Sequence, residues 1–164
     1  MKHLALSLAF VTTVSVLAFR GTSAPVSAAA PAACPDIYEH QTTLVYEVNG
    51  GTIAGRFDRE LVLYGDGSAR LSSTQVGGGA SKCQMTVVST ETVGKLLAGL
   101  TTAGAPALCD DPSFVTDMPL STLTLMRATT DASAHTYSWW VGQGAYGPVE
   151  DILQNFVATT FPNF

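Results

Sequence analysis

Apolar and polar positions alternate over several short stretches of this chain and twice give way to a helical spacing. Residues 44–48 read Leu-Val-Tyr-Glu-Val, an apolar strand pattern. Residues 56–64 put Phe57, Leu61 and Leu63 on one side and Asp58 and Glu60 on the other, as a half-buried strand requires. Residues 68–74 continue the pattern with Ala69 and Leu71. Between these two runs, Gly65-Asp66-Gly67 predicts a hairpin, because Asp-Gly supplies the backbone of a type I′ turn. Residues 83–88 read as a short strand or an extended lead-in. Residues 120–127 place Leu123 and Leu125 inward and Thr122 and Thr124 outward. Residues 135–141 are rich in strand-favouring types: Tyr137, Trp139, Trp140 and Val141.

Two segments read as helices. Ser89 or Thr90 caps the first, Glu91 suits its positive end, and Val93, Leu96, Leu97 and Leu100 form its apolar stripe. Gly104 and Pro106 stop it. Pro148 opens the second, ahead of Glu150 and Asp151, with Val149, Ile152, Leu153, Phe156 and Val157 as its stripe. This order predicts an α+β fold: an antiparallel sheet of about five strands with two amphipathic helices on one face.

The chain begins with a different pattern. Lys2 and His3 precede residues 4–19, apolar except for Ser7, Thr12, Thr13 and Ser15, and a small-residue tract after Arg20 contains Val26-Ser27-Ala28. That is the layout of an export signal with an A-x-A-like cleavage site. The expected organisation is a signal peptide at 1–28, a low-complexity lead-in at 29–43 and a single α+β domain at 44–164. The apolar run falls short of the roughly 20 residues that span a bilayer, so no stable membrane insertion is expected after cleavage. A lipoprotein alternative at Cys34 lacks the usual Leu three positions earlier in Pro31-Ala32-Ala33-Cys34. The expected location is secreted or extracytoplasmic.

Export changes the electrostatics. The full chain has 8 basic and 13 acidic residues, a net charge of −5. Losing Lys2 and Arg20 with the signal brings the mature charge to about −7. Arg56, Arg59, Arg70, Lys82, Lys95 and Arg127 are scattered, so the basic footprint that nucleic acid needs is missing. In an oxidising compartment two of the cysteines Cys34, Cys83 and Cys109 are expected to bridge. Cys83 with Cys109 is the expected pair, each lying beside a predicted core element; Cys34 is the alternative partner of either. With no C-x-x-C and no histidine close by, neither a metal site nor a cofactor is expected.

Catalytic patterns are equally sparse. Only His40 and His135 remain after cleavage, and the chain has no G-x-S-x-G and no H-E-x-x-H. His135, at the start of a strand, reads as a structural histidine. Asp110, Asp111 and Asp117 lack EF-hand spacing and a completing Glu, and read as a solvated acidic loop. The protein is therefore expected to be non-enzymatic. Trp139 and Trp140 point to opposite faces of their strand; one enters the core, and the other is either covered or a contact for a partner. Residues 49–55 (Asn49, Gly50, Gly51, Thr52, Ile53, Ala54 and Gly55) read as a glycine-rich loop, a plain connection or a binding loop presented by the scaffold.

A family pattern runs through the same residues. Gly50-Gly51 with Ala54-Gly55 follows the first strand; Val93-Gly94-Lys95-Leu96-Leu97 marks the first helix; Ala103-Gly104, Asp117, Leu123-Thr124-Leu125 and His135-Thr136-Tyr137 follow, then the helix after Pro148. The order resembles the emfourin-type inhibitors of thermolysin-like metalloproteases, over about residues 44–161, with Thr52-Ile53 where that family has one aromatic. The resemblance implies a secreted protease inhibitor whose partner is an extracellular protease. The residues alone imply a secreted, non-enzymatic module that binds a protein partner. The alternative is an exported structural or envelope-associated domain with no dedicated site.

Overall fold

The computed structural model describes residues 42–52, 55–77, 79, 81–113, 115, 117–126, 134–142 and 144–164. The expected signal peptide, most of the lead-in, Cys34, His40, Ile53 and Ala54 lie outside the described residues.

Strands β1 (Thr42–Thr52), β2 (Gly55–Tyr64), β3 (Ser68–Val76) and β4 (Ser81–Val87) precede helix α1 (Thr90–Thr102). Then come β5 (Leu120–Leu125), β6 (His135–Trp140) and α2 (Gly147–Thr160). The strands form one antiparallel sheet in the order β4-β3-β2-β1-β5-β6. The expected α+β class holds, with six strands rather than about five, because residues 81–87 pair with β3 as a full edge strand.

Alternation selects one face for the core. Leu44 and Tyr46 of β1 lie level with Leu63 and Leu61 of β2 and with Leu125 and Leu123 of β5. Leu61 and Leu63 in turn meet Leu71 and Ala69 of β3. These side chains share one buried cluster with Val93, Leu96 and Leu100 of α1 and Val149, Leu153 and Phe156 of α2. Each such burial stabilises by about 1.5–3 kcal/mol before entropy costs.

The punctuation acts mostly where the sequence places it. Ser89 caps α1, its Oγ accepting from Thr92 N at 3.1 Å. Gly104 ends that helix at φ 83. The β2–β3 turn differs from the expected type I′. Tyr64 O accepts from Gly67 N at 3.0 Å, and of the three turn residues Gly67 has positive φ, 89. This is the three-residue hairpin in which one glycine takes the left-handed position. A Cβ there would lie 2.3 Å from Val88 O, which itself belongs to the residue whose N–H bonds Gly67 O.

The expected Cys83–Cys109 bridge does not form. Cys109 is a free, exposed thiol, and Cys83 is disulfide-bonded. The topology explains this. Cys83 lies on β4, one outer strand of the sheet, whereas residues beside Cys109 dock on β6, the other outer strand. Five strand spacings of about 4.8 Å separate those edges by roughly 24 Å, and a bridge needs Cα atoms within about 7 Å.

On the face away from the helices, Thr122 and Ser138 share a hydrogen bond at 2.9 Å, and Thr124 and Thr136 one at 3.0 Å. Glu47 lies directly across from Glu60, which pairs with Arg70. Burial, then the charges of Glu60 and Asp58, raise the Glu47 pKa above its ordinary 4.5. A carboxyl with a raised folded pKa opposes folding when ionised. The penalty is absent below the unfolded value and grows as pH rises through the raised one. Glu47→Gln is therefore expected to stabilise the protein at pH 7 by roughly 0.2–1 kcal/mol, the scale of a cross-strand charge pair. Urea unfolding at pH 7 and pH 4 checks this, since the gain should shrink at the lower pH.

Candidate functional site

The chemistry of this domain centres on an acidic side chain that the core encloses. Glu150, in the first turn of α2, is 4 % exposed. Its Oε1 accepts from Tyr46 Oη and Gln154 Nε2, both at 2.6 Å, and its Oε2 from Trp139 Nε1 at 2.9 Å. β1, β6 and α2 thus meet at one carboxylate. Burial, then the hydrogen bond to Glu150, push the Tyr46 hydroxyl well above its usual range. A chain of rings extends the site: Tyr46 stacks on Trp139 with centroids 6.3 Å apart, and Trp139 on Tyr146 at 5.7 Å.

Beside this network a cleft of about 520 Å³ opens between the β1–β2 hairpin and the C-terminal half of α2. The sheet contributes Tyr46 and Val48 from β1, and Phe57 and Arg59 from β2. Pro119 and Val141 close one side; Gln154, Val157 and Ala158 of α2 line the other, with Phe161, Pro162 and Phe164 from the chain's last turn. Tyr46 and Gln154, two of the donors that hold Glu150, are therefore also walls of the cleft. The lining is mostly apolar with a few polar groups, the composition of a ligand pocket.

The glycines expected as a binding loop belong to paired strands. Asn49, Gly50, Gly51 and Thr52 are the last residues of β1 and Gly55 the first of β2, with Thr52 opposite Gly55. They are an arm of the sheet rather than an irregular loop. Gly50 lies opposite Phe57, and a Cβ on it would stand 2.8 Å from the Phe57 ring and 3.1 Å from Pro119. The missing side chain lets two walls of the cleft close over β1. The segment thus builds the cleft; whether Ile53 and Ala54 touch a partner lies outside the described residues.

The other expected site residues separate. Trp139 is fully buried and holds Glu150, which removes it from any surface contact. Trp140 is half-buried and donates from Nε1 to Ser113 O at 2.8 Å. His135 donates from Nε2 to Leu108 O at 2.9 Å. Asp110 Oδ1 accepts from Ser138 N, and Asp111 N donates to Ser138 O, both at 2.8 Å. The acidic loop is thus a seal along the outer edge of β6, satisfying backbone groups that would otherwise template another strand. Its hydrogen bonds from Ser113 lower the Asp111 pKa. Asp117 stands apart, exposed and at φ 66.

Sequence reasoning missed the cleft because five separate segments build it. A signal was available in Phe161-Pro162-Asn163-Phe164, two aromatics beyond the end of a helix. Comparison with known proteins gives no matching family model and no matching curated protein.

Glu150→Ala is expected to cost about 2–6 kcal/mol, because it strands the buried Tyr46 and Trp139 donors at about 1–3 kcal/mol each. Tyr46→Phe is expected to cost only about 1 kcal/mol, since Glu150 keeps its other two donors. Denaturant unfolding followed by tryptophan fluorescence measures both; equal losses would refute the central role given to Glu150.

Proposed function

We propose that this protein is an exported, non-enzymatic binding module that takes an apolar group of a protein partner into the cleft between the β1–β2 hairpin and α2. The observation that carries this reading is the cleft itself, about 520 Å³ and lined by Val48, Phe57, Val157 and Phe161 among others. A volume of that size accepts one or two large side chains or a small amphipathic ligand. Arg59, exposed on the rim, favours a partner with an acidic group beside the apolar one. His135 and Asp110, weighed from sequence as catalytic histidine and acidic-loop residue, hold local hydrogen bonds to Leu108 O and from Ser138 N, which fits a structural role for both.

The export signal read in residues 1–28 favours a partner outside the cytoplasm, and the emfourin-type resemblance implies an extracellular protease. In that version the β1–β2 hairpin enters the enzyme with its apolar cleft alongside. The cleft does not depend on the inhibitor version, since any apolar anchor of a partner fits the same chemistry.

A substitution on the cleft wall separates the two. Ala158 is exposed on α2, so Ala158→Arg fills the cleft without disturbing the core. The dye 8-anilinonaphthalene-1-sulfonate is expected to fluoresce with the native protein and to lose most of that signal with Ala158→Arg. Equal signals from the two proteins would sink the cleft as a binding site. Inhibition of thermolysin at micromolar native protein, weakened by Ala158→Arg, is the outcome the protease version requires. Cleft-dependent dye binding without inhibition leaves the binding module and removes the protease.

A further inference from the structure

The two outer strands of the sheet are finished differently. β6 is closed along its outer side, where Asp110 and Asp111 bond Ser138. β4 has no neighbour on its outer side among the described residues. Val88 N donates to Gly67 O at 2.9 Å, and these two residues lie opposite each other when the β3–β4 register is continued by one position. Opposed residues of an antiparallel pair bond alternately. Thr86 and Gln84 therefore bond β3, and Met85 and Val87 turn their N–H and C=O groups outward. The side chains of the same two residues are exposed, Met85 by 40 % and Val87 by 76 %. Natural edges are blunted by bulges, prolines or charges. β4 pairs with β3 unbroken from Ser81 to Val87, holds no proline, and carries its one charge, Lys82, at the far end.

We propose that β4 pairs antiparallel with β4 of a second copy of this chain, about a twofold axis at Thr86, so that one sheet runs through both copies. Parity restricts the register, since outward residues of one strand must meet outward residues of the other. An axis at Thr86 sets Met85 against Val87 of the second copy and Val87 against its Met85, each pair exchanging both backbone bonds. The exposed side chains of both copies then meet on the face away from the helices. On the helix face Thr86 meets Thr86 of the second copy as a close, non-hydrogen-bonded pair. Cross-strand threonines are favourable neighbours, as at Thr124 and Thr136.

Charge favours the same occupant. A net charge of −5 opposes most contacts between copies. The seam avoids that cost, because Gln84-Met85-Thr86-Val87-Val88 carries no charge. In this register Lys82 comes level with Thr90 of the second copy, one residue from the exposed Glu91 at the start of its α1. Opposite charges therefore flank the seam at both ends. Closure follows from the other edge. With β6 sealed, each chain offers one open strand, so assembly stops at two copies instead of extending as a filament. β4 lines no part of the cleft, and the pairing stands whether or not the cleft binds.

Sedimentation equilibrium over roughly 10 μM to 1 mM is expected to show a monomer–dimer equilibrium, as a small interface gives; a monomer throughout overturns the proposal. Amide exchange locates the seam. The Met85 and Val87 amides are expected to gain at least about tenfold protection over that range, while Thr86 is protected throughout by β3. Dimers without that gain overturn it as well. Val87→Pro removes an outward donor and no bond to β3, so it is expected to keep the fold and weaken dimerisation at least about tenfold. Val87→Lys makes the same test if the proline variant does not fold. Met126, exposed by 39 % beyond the end of β5, lies four strands across the sheet from β4. Met126→Lys is expected to leave the dimer intact. A dimer that survives the Val87 variants, or that Met126→Lys disrupts, is not paired through β4 and overturns the inference.

Discussion

A single buried carboxylate sets the relation between the sheet and the helix that lies across it. Burying a charge is costly unless its lone pairs are satisfied, and Glu150 has no cation against it in its hydrogen-bonding set. It has three neutral donors instead, from Tyr46, Trp139 and Gln154. Its place in the first turn of α2 adds the positive end of the helix, which favours negative charge. That combination fixes three things together: the height of α2 over the sheet, its rotation, and the separation of β1 from β6 across β5. Apolar contacts alone would tolerate sliding by part of a turn; two sheet donors, Tyr46 and Trp139, aimed at the two oxygens do not.

Everything at the N-terminal end of α2 follows from that anchor. Trp139 must present its Nε1 to Glu150, so its indole lies flat between the rings of Tyr46 and Tyr146. Tyr146 then reaches Cys109 O with its hydroxyl at 2.8 Å. This draws the segment after α1 to the edge of β6, where Asp110 and Asp111 bind Ser138. The C-terminal half of α2 has no comparable polar anchor among the described residues. There Val157, Phe161 and Phe164, packed against the core, line the cleft together with Val48 and Phe57. The same helix is thus held by hydrogen bonds near its start and by apolar packing near its end.

The legible parts of this architecture were those governed by neighbours in sequence. Alternation at Leu44 and Tyr46, Leu61 and Leu63, and Leu123 and Leu125 marks the buried face, because period-two patterning is local. The stripes of α1 and α2 and the stops at Ser89 and Gly104 are local in the same sense. What could not be read depends on distant partners. Glu150 looked like an ordinary acidic residue near a helix start, because its donors lie 104 and 11 positions away. Gly50 and Gly51 looked like a loop, because the reason for a missing side chain is the Phe57 ring across the hairpin. Cys83 and Cys109 looked like a pair because both flank core elements, and only the strand order places them at opposite edges.

The two faces of the sheet solve the same problem by different means, and the difference bears on where a partner can act. The helix face is closed by burial around Glu150, a network whose members lose their partners together if one element moves. The opposite face carries short hydroxyl pairs, the Glu60–Arg70 ion pair beside like-charged Glu47, and the buried side chains of Val62 and Tyr64. On the helix face, the cleft lies beside the Glu150 network and shares Tyr46 and Gln154 with it. Because Tyr46 and Gln154 both line the cleft and donate to Glu150, an occupant there would touch the same network that holds the fold.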